Sequence, residues 1–222
     1  MISVILNSYN PTQQQAHMTM ACLAAVRKFT DPEYELIVVD NAPVHRIRDE
    51  FKVLNIDNLI TNKRNQTSSY SFHQGAKVAK GESLVFIQSD VFVHERTINK
   101  LVKYLDRYDV AYPQQYPLHR EEVKEIYGVA DGEDTRIGAR DEGMIAIRKD
   151  SYEKCGGWDV RFKNMLAGKA FYMRCDKAGL TWTDKTNAFI THIMAGNNLL
   201  KAPGLYNKQM AHDAELIKKY YD

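Results

Sequence analysis

The sequence predicts an α/β fold, a mainly parallel sheet flanked by helices. Three observations carry this. Short apolar, β-branched runs recur at Ile2 to Leu6, Glu35 to Val39 and Leu84 to Ile87. Stretches with helical spacing of apolar residues separate them. The runs are continuous rather than alternating, as in strands covered on both faces. Strands alternating with helices at this spacing imply right-handed crossovers onto one shared sheet.

The first strand, Ile2 to Leu6, ends at the polar turn Asn7-Ser8-Tyr9-Asn10-Pro11. Thr12 caps a helix reaching about Lys28, with Ala16, Met20, Leu23 and Ala24 at helical spacing. The strand from Glu35 stops at Asp40-Asn41-Ala42-Pro43, and a shorter strand, Leu59 to Thr61, follows. A helix spans about Ser69 to Ala79, with Gly81 as its stop. Leu84 to Ile87 runs into Gln88-Ser89-Asp90. Beyond it lie a helix at Ile98 to Leu105 and a strand at Asp109 to Tyr112. Residues 114 to 140 are polar and aperiodic, a loop-rich excursion. Ile145 to Ile147 resumes a strand, Lys169 to Ala178 a helix, and Ala188 to Thr191 reads as a strand closed by His192. An amphipathic helix, Tyr206 to Tyr221, comes last. Ligands of such sheets bind at the carboxyl ends of the strands. That rule gathers Asn7 to Asn10, Asp40-Asn41 and Gln88 to Asp90 on one rim.

Composition narrows the class without naming it. The chain has 222 residues, 44% hydrophobic and 26% charged, which fits one domain with a sizeable core. A net charge of +2 calls for neither nucleic acid nor a membrane surface. No apolar run reaches the roughly 18 residues of a membrane span, and no basic segment precedes the first strand as in a signal peptide. Cys22, Cys155 and Cys175 are an odd set without CxxC spacing, read as reduced thiols of a cytoplasmic protein.

In order and spacing, these segments resemble the inverting family 2 glycosyltransferases of the GT-A fold. Ser3 to Asn10 is similar to the family's first strand and nucleotide loop, and Leu36 to Asn41 to its second strand with a terminal Asp. His73-Gln74-Gly75 through Gly81-Glu82 is similar to the following helix and its A-x-G-E exit. Gln88-Ser89-Asp90 falls where the family carries its acidic metal motif. Gly156-Gly157-Trp158-Asp159 resembles the G-G-F-D turn, and Lys177 to Leu180 the end of the acceptor helix. The sequence departs from the family twice. Only Asp90 of the metal motif is acidic, and the catalytic acidic pair falls on Ala167 and Gly168.

The resemblance implies one domain over residues 1–222, with a nucleotide-binding half at 1–110. Residues 111–222 would form an acceptor-binding half with a C-terminal lid and helix. It also implies a UDP-sugar donor, Mn2+ or Mg2+, and transfer to an acceptor hydroxyl. Asp90 would ligate the metal, or else cap a turn. His192 matches the family's late His, as a second ligand or a buried structural histidine. Asn7, Ser8 and Tyr9 would lie against the nucleotide, and Ser89 would meet the ribose. Asp40 would accept from the base imide, or else close an Asx turn. Lys201 would face the diphosphate from a lid running from Met194 to Pro203. For the base of an inverting reaction the candidates are Asp159 first, then Asp141 and Glu142. A retaining mechanism stays open.

Two other readings compete. A non-catalytic nucleotide-sugar or glycan-binding module would explain the missing acidic pair. A nucleotidyltransferase would share the sheet, but Asn7 to Pro11 is not its Gly-rich basic loop. The acceptor is a glycan, protein, small molecule or modified nucleic acid.

Overall fold

A computed structural model describes residues 1–31, 33–41, 54–115, 143–163, 166–192 and 203–221 of the chain. In chain order these form β1 (Ile2–Ser8), α1 (Gln13–Phe29), β2 (Tyr34–Asn41), β3 (Asn58–Asn62), α2 (Ser68–Val78), β4 (Ser83–Gln88) and β5 (Val91–Val93). Then follow α3 (Thr97–Lys103), β6 (Val110–Ala111), β7 (Gln114–Gln115), β8 (Met144–Arg148), α4 (Lys149–Lys154) and α5 (Ala167–Lys177). Last are β9 (Trp182–Thr183), β10 (Phe189–His192) and α6 (Pro203–Tyr220).

The main sheet has the order β3-β2-β1-β4-β8-β6-β9. Parallel pairing joins β1 to β2 and β4, β2 to β3, and β6 to β9; β8 lies antiparallel between β4 and β6. After β1 the chain winds outward through β2 and β3, then returns to place β4 on the other side of β1. The crevice at the carboxyl ends of β1 and β4 is therefore the topological switch point, where open α/β sheets bind ligands. A smaller sheet, β5-β10-β7, stands beyond it.

Strand period two sorts the core into two layers. Val4, Leu6, Val38, Val85 and Ile87 pack against Cys22, Leu23 and Val26 of α1 and Ile98 and Leu101 of α3. Ile5, Ile37, Phe86, Ile145 and Ile147 pack against Phe72 of α2, Trp158, Phe171 of α5 and Ile217 of α6. Thr12 caps α1 as the sequence predicts, its Oγ1 accepting the Gln15 N–H at 3.2 Å. Gly75 lets α2 lie on β1: a Cβ there would collide with Cγ2 of Ile5.

Some boundaries differ from the sequence reading. The helix expected over Ser69 to Ala79 is there as Ser68–Val78, closed by Ala79, whose N–H returns to the Gly75 carbonyl at 3.1 Å, so Gly81 is not its cap. Gly81 instead donates to Ser3 Oγ at 2.8 Å, pinning the entry to β4. Only Val110–Ala111 of the predicted Asp109 to Tyr112 strand is ladder. Asp109 just before it still bonds both flanking segments through its backbone, while its carboxylate accepts from Arg148, Ser151 and Thr181. Of the excursion at 114–140, Gln114–Gln115 forms β7; positions 116–140 lie outside the described residues.

Candidate metal and nucleotide site

The register fixes what meets at the switch point. Asn7 lies beside Val39 and Gln88, and Ser8 beside Asp40. Register neighbours share a face, so Asn7 follows Ile5 toward α2 while Ser8 and Asp40 follow Leu6 toward α1. Asp40 and Ser8 are fully buried. Ser8 Oγ accepts from Asn10 Nδ2 at 2.8 Å, and Asn10 Oδ1 accepts from Thr19 Oγ1 at 2.7 Å. That chain of bonds fastens the loop after β1 to α1, so Ser8 and Asn10 shape the loop from beneath. Tyr9 between them is half-buried.

Ser89 and Asp90 form the turn from β4 into β5, both buried. Antiparallel pairing of β5 with β10 sets Val91 opposite His192. As a result His192 Nε2 stands 3.5 Å from Asp90 Oδ1, with both side chains 7% exposed. Asp90 Oδ1 takes no hydrogen bond from the described residues. A buried acceptor left in that state costs about 1–3 kcal/mol, which a bound cation would offset. Carboxylate and imidazole together suit a borderline divalent ion such as Mn2+. Among the described residues no third His, Cys, Asp or Glu completes a cluster. Cys22 lies behind the pair, its Sγ donating to the Val91 carbonyl at 2.8 Å. Burial first, then the charge of Asp90, pushes its thiol far up in the metal-free protein.

A residue the sequence reading missed completes this corner. A Cβ on Gly143 would sit 2.7 Å from His192 Nδ1 and 2.8 Å from its Cε1. Only a glycine lets the imidazole lie there. The sequence signal was a Gly directly before the Met144 strand, facing no predicted turn.

Elsewhere on the rim, amides replace charges. Asn41 Nδ2 donates to Asn65 Oδ1 and to the Gln66 carbonyl, both at 2.9 Å, while Gln66 N–H donates back to Asn41 Oδ1 at 2.8 Å. Gln74 exchanges hydrogen bonds with Asn62. His73 points elsewhere: with Leu84 and Lys149, at the opposite ends of the strands, it lines a cavity of about 430 Å3. Burial, then Lys77 and Arg174, holds its pKa down.

Asp159, the first candidate base, is already engaged. Arg161 clasps it through Nε at 2.8 Å and Nη2 at 2.5 Å, and the Tyr221 hydroxyl donates at 2.7 Å. Burial acts to raise its pKa, but these bonds outweigh it and bring the value from 3.8 to about 2. A carboxylate so acidic is a poor proton acceptor near neutral pH. It is instead a stability device. The folded-state pKa is depressed, so its contribution is complete above about pH 4 and is lost as pH falls toward about 2. Asp159→Asn should therefore lower stability at neutral pH and flatten the loss between about pH 4 and 2. Urea unfolding across that range measures both; parallel curves for the two proteins would disprove it.

Where the resemblance puts an acidic pair, buried Ala167 and Gly168 open α5. The carboxylate that does reach this corner is Asp213 of α6, fully buried. It accepts the N–H groups of Lys163 at 2.8 Å and Leu166 at 3.2 Å, so it ties α6 to the start of α5. Asp141, Glu142, Lys201 and most of the expected lid lie outside the described residues.

This architecture and rim define the class: a GT-A fold, built for nucleotide-sugar transferases. Residues 3–160 match the pattern of Glycosyl transferase family 2, and the chain belongs to that family. It is 26% identical over 176 residues to an uncharacterized glycosyltransferase of Haemophilus influenzae, covering 74% of this chain and 58% of that one. Among solved structures it is similar to the mannosyltransferase PcManGT of Pyrobaculum calidifontis in complex with GDP-Man and Mn2+. There the TM-score is 0.69 at 16% identity, over 98% of this chain and 64% of the other. GalNAc-T7 with UDP, GalNAc and Mn2+ gives 0.65 at 15% identity, over 86% of this chain and 43% of the other. S. aureus TarS 1-349 in complex with UDP gives 0.61 at 18% identity, over 98% and 65%. The chain thus spans less than two thirds of the length of each of these relatives. No helix among the described residues is long and apolar enough to cross a membrane.

Proposed function

We propose that this chain transfers a sugar from a UDP-sugar to an acceptor hydroxyl with inversion, using Mn2+ or Mg2+ held by Asp90 and His192. The observation that carries the reading is the approach of those two buried donors to 3.5 Å at the switch point. When bound, the ion supplies Lewis-acid neutralisation of the departing diphosphate. The protein's own groups do the rest. Asp40 accepts the base imide N–H, Asn7 and Tyr9 border the base, and the Ser89 hydroxyl meets the ribose. Lys201 brings a further cation to the diphosphate. The acceptor proton goes to Asp141 or Glu142. Gly143, which follows them, abuts His192, and this supports a base delivered from that direction. Asp159 keeps the turn and α6 in place.

Calorimetric titration of UDP, with and without Mn2+, tests the reading. Binding should require the ion, and UDP should outcompete ADP. Binding without metal, or equal affinity for ADP, would overturn it. The second reading, a binding module without catalysis, is favoured by Ala167 and Gly168 at the acidic-pair positions. A panel of nucleotide sugars separates the two: metal-dependent UDP release supports the transferase, and binding without release the module.

A further inference from the structure

A cavity of about 380 Å3 opens between α4, α5 and the end of α6, lined by Lys154, Arg161, Arg174, Lys177, Tyr220 and Tyr221. None of its lining residues is a strand end of the rim. Among the described residues no carboxylate lines it, although Asp159 stands behind Arg161 and compensates that one charge. Three cations, Lys154, Arg174 and Lys177, therefore face one open cleft with no compensating carboxylate among its described lining residues.

Two of its guanidinium groups are fixed in place. Arg161 is clasped by Asp159 and lies over the Tyr220 ring, 4.0 Å from its centroid. Arg174 Nη1 donates to the Gly157 carbonyl at 3.0 Å. Its Nη2 rests against Gly156, where a Cβ would stand only 2.8 Å away. Gly156 also has φ +77°, which few residues other than glycine adopt. The Gly-Gly turn thus seats an arginine with donors to spare, since a guanidinium carries five. Held guanidinium groups lose little freedom on binding and match the oxygens of a phosphate. Lys154 and Lys177 are exposed at the mouth and add point charges. The volume is that of a small-molecule site.

We infer that this cavity is a second binding site, taking the phosphate group of a small phosphorylated ligand other than the sugar donor. The test uses inorganic pyrophosphate as probe, titrated calorimetrically into the whole chain in chelator-containing buffer, where metal-dependent donor binding is silent. The protein should bind it, and excess UDP should not displace it. Lys154→Ala/Lys177→Ala should weaken binding by about tenfold or more, as expected for two charge-assisted contacts. Lys100→Ala/Lys103→Ala removes the same charge from α3 and should leave affinity within about twofold. Lys154, Lys177 and Lys103 are exposed and Lys100 is half-buried; thermal melts check that each variant folds. Lys154→Ala alone serves if the double variant does not. Glucose 6-phosphate as a second probe extends the result to sugar phosphates. Three outcomes overturn the inference: no pyrophosphate binding, equal losses in both double variants, or displacement by UDP.

Discussion

Asp90→Asn should abolish metal-dependent UDP binding and reduce sugar transfer by about a hundredfold or more. The ion's share of transition-state charge stabilisation is several kcal/mol, and each 1.4 kcal/mol is about tenfold in rate. The amide keeps the size of the side chain and loses the charge that makes a carboxylate a strong ligand for a hard cation. The effect on stability should run the other way. In the metal-free protein Asp90 is 5% exposed, and its Oδ1 takes no hydrogen bond from the described residues. Neutralising a buried, poorly satisfied charge relieves a desolvation penalty rather than creating one. The melting temperature without metal should therefore stay level or rise, while the stabilisation that Mn2+ and UDP give the native protein disappears. A folded variant that still bound UDP in a Mn2+-dependent way would move the ion off Asp90.

The layered core was legible because both periods are strong. Val4 to Leu6, Leu36 to Val39 and Leu84 to Ile87 could be little else than buried strands. Thr12 is a cap by chemistry alone. Asp90 was legible through its place at the end of such a strand. His192 could be suspected, but its meeting with Asp90 depends on β5, a strand of only three residues. Nothing local distinguishes Val91–Val93 from a continuation of β4. The pairing is instead a tertiary decision, made when β10 returns across about a hundred residues. Two engagements were not legible, because partners distant in sequence complete them. Gly81 meets Ser3 Oγ across 78 residues. Asp159 is held by Arg161, two residues on, and also by Tyr221 from the end of the chain. The α4 helix and β9 escaped notice because six and two residues are too short for periodicity to speak.

Gly143→Ala should weaken Mn2+ binding by about ten- to a hundredfold, the range usual for residues that orient a metal ligand. The added methyl would meet His192 Nδ1 at 2.7 Å and Val91 Cγ2 at 2.8 Å. Neither neighbour is the loose end of a flexible side chain. The imidazole is enclosed, and its backbone is registered against Val91 by the β5–β10 ladder. The ring must therefore turn away from Asp90 or the ladder must open. Gly179→Ala is the matched control. With φ +67° and nothing within 4 Å of the added carbon, it brings backbone strain alone. It should lower stability by about 1 kcal/mol and leave Mn2+ affinity untouched. The free Mn2+ signal in electron paramagnetic resonance reads affinity directly, without reference to transfer. If the glycine acts through the histidine, Gly143→Ala added to His192→Ala should cost no further affinity, because the two changes share one cause. Additive losses would mean that Gly143 serves the site by another route. Native affinity in Gly143→Ala would mean that His192 is not a ligand.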